Sequence, residues 1–276
     1  MPKLDPFSKT DKLDNNMLDV MVKRLEVRGV HPFFQRALAD YLDAMNIDAA
    51  GAVLDLGCGT GLVARAIARR PKFAGQITGI DLSTYLAEQA ARLAADEGFS
   101  GRTIFRAGDT RSLDLGDGAF DAVIAHTLLS HVDRPLAVLQ EAARVTRAGG
   151  LIAIFDGDYA SITFAMEDPE RTEAHDRKFM NGMMTSPYVM RQMPRLLRQA
   201  GLELVKTFSY VMADIGKADF WLSAVEAFSK LLPKSGAMTE EEAKGWETSL
   251  KRASDEGMFF AASNYYTYVA RKLQST

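Results

Sequence analysis

The chain has 276 residues, of which 47% are hydrophobic and 25% charged, and a net charge of −3. This composition is typical of a globular protein that buries one α/β core with a smaller appendage, and its weak negative charge excludes bulk attraction to nucleic acid or anionic membranes. The single cysteine, Cys58, excludes an intramolecular disulfide and a multi-cysteine metal site. We find no apolar leader and no apolar run of about 18 residues, so we expect a cytoplasmic protein without a membrane span.

The N-terminal region predicts an arm followed by two helices. Residues 1–16 are polar and are expected to form a flexible arm that orders over a ligand. Apolar residues recur at helical spacing over 17–28, and a second helix is expected over 33–45. We assign residues 1–48 to a unit of arm and helices that covers the active site.

Residues 49–157 predict a core in which strands alternate with helices. Each short apolar run is followed by a segment of helical spacing, which is typical of a parallel sheet with crossover helices. Asp133 is expected to cap the last of these helices, and Gly149-Gly150 to end it. The expected strands are 52–57, 76–81, 103–107, 121–126 and 151–156, and the expected helices are 61–70, 83–97 and 134–147.

Residues 158–276 predict a helical cap together with the final strands. Strands are expected over 202–211 and 259–272, a helix over Asp214–Leu232, and a further helix that begins with a capping box of Thr239 and Glu242. Methionines cluster before these elements, with Met180, Met183 and Met184 at helical spacing. They could form an adaptable apolar wall for a bound molecule or fill the core of the cap, and their clustering favours the wall.

A glycine-rich segment follows the first predicted strand. Residues 53–61 read Val-Leu-Asp-Leu-Gly-Cys-Gly-Thr-Gly. Gly57, Gly59 and Gly61 form G-x-G-x-G, which differs from the G-x-G-x-x-G of a pyrophosphate-binding dinucleotide site. A tight strand-to-helix turn without a ligand is the alternative, and three glycines in five residues disfavour it.

Two polar residues in this segment indicate the charge of the ligand. Asp55 lies two residues before the first glycine, where a carboxylate disfavours a pyrophosphate and suits an ammonium group. Thr60 is expected at the N-terminus of the next helix, where a ligand carboxylate is favoured. The segment therefore predicts a cationic nucleoside, S-adenosylmethionine (SAM), as the cofactor.

The next two strands are followed by residues that suit an adenosine. Asp81 ends the second strand and is expected to accept hydrogen bonds from both ribose hydroxyls, with Leu82 against the adenine ring and Ser83 beside it. Ser83 also fits the cap position of the following helix. Asp109 and Thr110 follow the third strand and are expected to bind the edge of the adenine, although an Asp-containing turn is an alternative there.

These motifs resemble the successive motifs of class I SAM-dependent methyltransferases, and especially the family of ubiquinone/menaquinone and other small-molecule methyltransferases. The resemblance covers residues 50–157, and beyond them it is architectural only. It implies a Rossmann-like, mostly parallel seven-stranded α/β sheet whose last strand is antiparallel, with an acceptor pocket built by the surrounding helices. The segments that carry it are Val53–Gly61, Gly79–Ser83, Ala107–Thr110, Phe120–His126 and Ala148–Phe155.

The resemblance also indicates candidate catalytic residues. His131 lies in a segment similar to the family's signature after strand four, and it could accept a proton from the acceptor or merely order the loop. His126, at the end of that strand, is expected near the cofactor and is a second candidate. Asp158 follows strand five and is expected to contact the acceptor or to form a turn. The sequence predicts no metal site.

The expected activity is methyl transfer from SAM to an O, N or C atom of a small organic acceptor by in-line displacement, with S-adenosylhomocysteine (SAH) as product. Three alternatives remain open: a SAM-fold enzyme of another reaction such as cyclisation or decarboxylation, a SAM-binding protein without catalysis, and an NAD-dependent oxidoreductase, which the glycine spacing opposes. Neither a nucleic-acid partner nor a membrane span is expected, and the oligomeric state stays open.

Overall fold

Within residues 5–273, which a computed structural model describes, seven strands form one mixed sheet in the order β3-β2-β1-β4-β5-β7-β6. Strands β1 to β5 pair in parallel, whereas β7 lies antiparallel between β5 and β6. This confirms the predicted α/β class and the antiparallel last strand. The strands are β1 (Ala52–Leu56), β2 (Gln76–Asp81), β3 (Thr103–Ala107), β4 (Phe120–His126), β5 (Thr146–Phe164), β6 (Leu202–Gly216) and β7 (Phe259–Lys272).

Helices cover both faces of this sheet. Successive residues of β1 point to opposite faces, so that Val53 packs in one hydrophobic cluster and Leu54 in the other. The helices are α1 (Asn15–Val30), α2 (Pro32–Ala44), α3 (Leu62–Ala68), α4 (Thr84–Asp96), α5 (Pro135–Val145), α6 (Pro169–Met183), α7 (Val189–Gln199), α8 (Phe220–Leu231) and α9 (Glu240–Asp255). The cluster that contains Val53 includes the buried faces of α2, α3, α8 and α9, and the cluster that contains Leu54 includes those of α5 and α7.

Three predicted helix ends differ from the structure, two of them because a carboxylate is used elsewhere. Asp214 belongs to β6, and its Oδ2 accepts hydrogen bonds from the backbone N–H groups of Asp219 and Trp221 at 2.8 Å, which delays the start of α8. Asp133 pairs with Arg111 at 2.7 Å instead of capping α5. That helix ends before Thr146, and the two glycines expected to stop it lie in β5. The predicted capping box of α9 is confirmed.

The described part of the N-terminal arm is folded, contrary to the expectation of a flexible arm. Pro6–Lys12 form a 3₁₀ helix, and Asp5, which is only 1% exposed, accepts a hydrogen bond from the N–H of Phe7 at 3.1 Å. Phe7 of this 3₁₀ helix packs against a small hydrophobic cluster formed by Leu18 and Met21 of α1 and Leu86 of α4. The first four residues of the predicted arm lie outside the described residues.

Two of the three clustered methionines fill the core. Met183 and Met184 are buried in the hydrophobic cluster that includes Phe179 and Trp246, whereas Met180 is half-buried and outside that cluster. Core packing, which was the disfavoured alternative, is therefore what the structure shows for Met183 and Met184. Among residues 5–273, no helix combines the length and the apolar character that crossing a membrane requires.

Candidate active site

A cavity of about 670 Å³ opens at the carboxyl ends of β1, β2, β3 and β4. Strand order reverses between β1 and β4, and ligands of open α/β sheets bind at such a reversal. The loops after these four strands line the cavity, together with residues of the 3₁₀ helix Pro6–Lys12 and of helix α1. Residues of the N-terminal region thus contribute to the wall of the cavity.

The glycine loop brings backbone directly to the cavity. Gly57, Gly59 and Gly61 have φ angles of +65°, +53° and +72°, a region that favours glycine. A Cβ atom on Gly57 would lie 2.7 Å from Leu128, and one on Gly61 would lie 2.8 Å from Phe105. Gly57 and Gly59 line the cavity, whereas Gly61 does not and serves the packing of α3 against the sheet.

Asp55 and Thr60 supply buried polar atoms without partners. Asp55 is 1% exposed and lines the cavity, and its Oδ2 accepts no hydrogen bond from any described residue. Burial raises the pKa of this carboxyl to about 8. The charge of Asp81 adds to the rise, whereas a hydrogen bond from the N–H of Ala64 lowers the pKa. The Oγ1 of Thr60 likewise has no partner among residues 5–273. Because buried polar atoms are nearly always paired in native proteins, these two fit a polar ligand.

Asp81 connects the second strand to the glycine loop. Its Oδ2 accepts a hydrogen bond from the N–H of Gly59 and its Oδ1 from the N–H of Ser83, both at 2.9 Å. Burial raises its pKa, while these N–H groups act in the opposite direction. Each oxygen keeps a further lone pair, so the carboxylate can still accept from ligand hydroxyls. Leu82 lines the cavity beside it.

Ser83 has a structural role instead of the expected place beside the cofactor. Its Oγ accepts a hydrogen bond from the N–H of Leu86 at 3.3 Å and caps α4, and it does not line the cavity. Capping was the alternative that the sequence offered for this residue.

Asp109 and Thr110 line the cavity after β3. Asp109 is held by the guanidinium of Arg111, whose Nη2 lies 2.8 Å from Oδ2, and this ion pair lowers the pKa of Asp109. The sequence interpretation missed Arg111, which also contacts Asp133 and so joins the loops after β3 and β4.

His126 lies at the end of β4 as a neutral side chain. Its Nδ1 is paired with the hydroxyl of Tyr41 at 2.9 Å, and its ring packs 4.6 Å from that of Phe155. Burial, with a smaller effect from Arg28, lowers its pKa to about 3. It lines the cavity and carries no charge at neutral pH.

His131 lines the same cavity and is paired with the N-terminal segment. Its Nδ1 lies 2.9 Å from Oδ2 and 3.0 Å from Oδ1 of Asp5. Burial lowers the pKa of His131, but the charge and hydrogen bond of the Asp5 carboxylate raise it, as does Asp156, and together they leave the pKa raised overall. The loop is braced by Asp156, which accepts from the N–H and hydroxyl of Ser130 at 2.9 and 3.0 Å.

The structure does not bring Asp158 to the cavity, which corrects its expected catalytic role. Its carboxylate is buried and accepts hydrogen bonds from Nε of Arg191 at 2.9 and 3.0 Å. An ion pair that joins β5 to α7 therefore occupies both oxygens.

Arg28 is a site residue that the sequence analysis missed. It lines the cavity from α1, with its Cζ 4.6 Å from the ring centre of Phe34, and none of the described carboxylates lies within ion-pair distance of it. A lone arginine on an amphipathic helix carries no sequence signal. Within residues 5–273, no cluster of three metal-ligating side chains is found.

Comparison with known proteins supports a methyltransferase. Residues 54–154 match a family described as "methyltransferase domain". A 37.1 kDa protein in transposon Tn4556 of Streptomyces fradiae is 30% identical over 236 residues, which are 83% of this chain and 65% of that protein. A ubiquinone biosynthesis O-methyltransferase of Xanthomonas oryzae pv. oryzae is 36% identical over 129 residues, which cover 46% of this chain and 52% of the relative. The chain thus spans less than two thirds of either relative.

Solved structures share the fold at low sequence identity. The 4+2 cyclase SpnF has a TM-score of 0.63 at 21% identity, and the match covers 100% of this chain and 99% of the cyclase. Phosphoethanolamine N-methyltransferase 2 of Haemonchus contortus, solved with phosphomonomethylethanolamine and SAH, has a TM-score of 0.59 at 18% identity, over 94% of this chain and 58% of that enzyme. These findings bear out the family resemblance: residues 54–154 match the methyltransferase domain family, and the chain has the Rossmann-like fold of class I SAM-dependent methyltransferases.

Proposed function

We propose that this protein transfers a methyl group from SAM to an O, N or C atom of a small organic molecule. The observation that carries the proposal is the buried, unpaired oxygen of Asp55 beside a loop of left-handed glycines, in one cavity with Asp81 and Arg28. Among residues 5–273, the Oδ2 of Asp55 has no hydrogen-bond partner and the guanidinium of Arg28 has no carboxylate at ion-pair distance. These two groups suit the ammonium and the carboxylate of an amino acid. A pyrophosphate would instead oppose the ionisation of Asp55 and offers no ammonium group to its unpaired oxygen.

Each part of the donor has a matching group in the cavity. Asp55 would bind the ammonium, Arg28 the carboxylate and Asp81 the ribose hydroxyls. The loop of Asp109 and Thr110 would contact the adenine, with Leu82 against one face of the ring. SAM supplies a methyl group on a positively charged sulfur and leaves as SAH.

The remaining residues of the site act on the acceptor. His131 would take up the acceptor's proton, because its Nδ1 is engaged by Asp5 and its other ring nitrogen stays available. The 3₁₀ helix Pro6–Lys12 would limit the access of water. A cavity of about 670 Å³ is of the size that binds small molecules, which supports a small organic acceptor.

Incubation with SAM and a panel of phenols, amines, carboxylic acids and activated carbon acids tests this proposal, with SAH and methylated product measured together. We expect both in equal amounts from at least one acceptor, and loss of both in Asp55→Ala. Arg36→Gln, on the outer side of α2, is the matched control. Product without SAH would favour a reaction of another kind, such as the cyclisation named for SpnF. SAH binding without any product would favour a non-catalytic SAM-binding protein.

A further inference from the structure

Asp5, the first residue that the structure describes, has a buried carboxylate that reaches a candidate catalytic side chain. Asp5 is 126 residues away from His131 in the chain, yet its two oxygens lie 2.9 and 3.0 Å from the Nδ1 of that imidazole. We propose that Asp5 is a positioning residue that orients His131 as proton acceptor, so that folding of the N-terminal segment over the cavity completes the catalytic pair. The inference rests on the proposed methyl transfer.

The contacts of Asp5 hold its carboxylate in one place. Its Oδ2 accepts hydrogen bonds from the hydroxyl of Thr185 at 2.8 Å and from the N–H of the same residue at 3.2 Å. Its Oδ1 accepts from the N–H of Phe7 at 3.1 Å. The side chain is fully buried, so water does not compete for these oxygens.

This arrangement determines which nitrogen of His131 faces the reaction. An ionised carboxylate only accepts hydrogen bonds, so Nδ1 carries the hydrogen and Nε2 is the basic atom. The ring is also held by Phe7, whose centroid lies 4.9 Å away, and by Tyr159 at 6.1 Å. His131 lines the cavity in this orientation, where Nε2 can take a proton from an acceptor.

The charges around His131 give the expected pH dependence. Asp5 and Asp156 favour the imidazolium, whereas burial and Arg28 oppose it, and Tyr159 is neutral at physiological pH because burial raises its pKa. Asp5→Asn removes one of the two carboxylates and must therefore lower the pKa of His131. The acid limb of the kcat profile, which marks loss of the proton from His131, moves to lower pH.

The experiment compares Asp5→Asn with Asp14→Ala over pH 5 to 9. Asp14 caps α1 through the N–H of Met17 at 3.0 Å and does not contact His131, so its variant loosens the same region without changing the pair. We expect the acid limb of kcat to move down by about one pH unit in Asp5→Asn, with the plateau at least about tenfold lower. We expect no movement of the limb in Asp14→Ala.

Two further measurements separate the proposal from a loss of folding and from a failure of the proposed function. The pKa of His131, followed by NMR in the SAH complex, must fall in Asp5→Asn while SAH affinity stays within about twofold of wild type. An unchanged pKa and an unchanged limb would overturn the role of Asp5 and leave the methyltransferase proposal intact. If no acceptor gives SAH, the methyltransferase proposal fails. The pair of Asp5 and His131 could then still be detected by NMR, but its proposed role in catalysis would fail as well.

Discussion

The Oδ2 of Asp81 accepts a hydrogen bond from the backbone N–H of Gly59 at 2.9 Å. This contact ties the end of β2 to the middle of the glycine loop after β1. The residue expected to bind the ribose therefore also holds the loop that approaches the rest of the ligand. The two motifs form one unit, although 22 residues separate them in the chain.

Replacing Asp81 tests the ribose assignment. We expect Asp81→Ala to weaken SAH binding by about 1.5–3 kcal/mol, the usual loss when a hydrogen bond to a charged group is removed. Isothermal titration of wild type and variant measures this difference. Asp96→Ala, at the far end of α4, is the control. Equal affinities in Asp81→Ala and wild type would show that the ribose is bound elsewhere.

Arg28→Gln tests whether the guanidinium binds the ligand carboxylate. SAH carries that carboxylate, whereas 5′-methylthioadenosine lacks the whole amino-acid part. We expect the variant to bind SAH at least about tenfold more weakly and 5′-methylthioadenosine as well as wild type does. If both ligands lose affinity equally, Arg28 supports the fold of the site and does not contact the carboxylate.

His131→Ala tests proton acceptance. Removing the base should lower kcat about 10²-fold or more and leave SAH affinity close to that of wild type. Steady-state kinetics at saturating SAM, at several pH values, provide the measurement. A loss confined to the KM of the acceptor would reduce His131 to a residue that only positions the acceptor.

The buried carboxyl of Asp55 should make the ligand-free protein less stable as pH rises. Its pKa is raised to about 8 in the folded protein, from about 4 in the unfolded chain, so the folded state holds one more proton between these values. The free energy of unfolding must then fall across this range, by at most about 1.4 kcal/mol per pH unit.

Urea denaturation of wild type and Asp55→Asn at pH 5 and pH 8 measures this effect. The amide cannot ionise, so the variant should lose less stability than wild type between the two pH values. A parallel change in both proteins would show that other groups cause the pH dependence.

Asp158→Ala tests whether the Asp158 carboxylate takes part in the reaction. Because the carboxylate pairs with Arg191 away from the cavity, we expect lower stability, by about 1–3 kcal/mol, and a kcat within about threefold of wild type. Thermal unfolding and kinetics on the same preparation measure both quantities. A large fall in kcat with unchanged stability would show that Asp158 does have a role in catalysis.

The core of the fold could be predicted because its signals are local. Short apolar runs mark β1 to β4, and three glycines mark the loop at which the ligand is expected. Asp55 and Asp81 could be proposed as ligand contacts from their distance to that loop alone, and both line the cavity. Ser83 could be assigned a cap from its place before α4, and the structure supports this assignment over a cofactor contact.

Other features depend on contacts that the sequence does not display. The pairing of Asp5 with His131 joins two segments that only the folded sheet brings together. Arg28 faces the cavity because α1 packs in one orientation, which a weakly amphipathic helix does not reveal. The pair of Asp158 and Arg191 could not be predicted for the same reason, because it joins a strand residue to a helix residue 33 positions away.

Direct titration with SAH and with NAD⁺ tests whether this cavity holds an adenosyl amino acid. We expect one SAH to bind per chain, with lower affinity in both Asp81→Ala and Arg28→Gln, and no heat of binding from NAD⁺ at the same concentrations. Binding of NAD⁺ without binding of SAH would show that the cavity is a dinucleotide site.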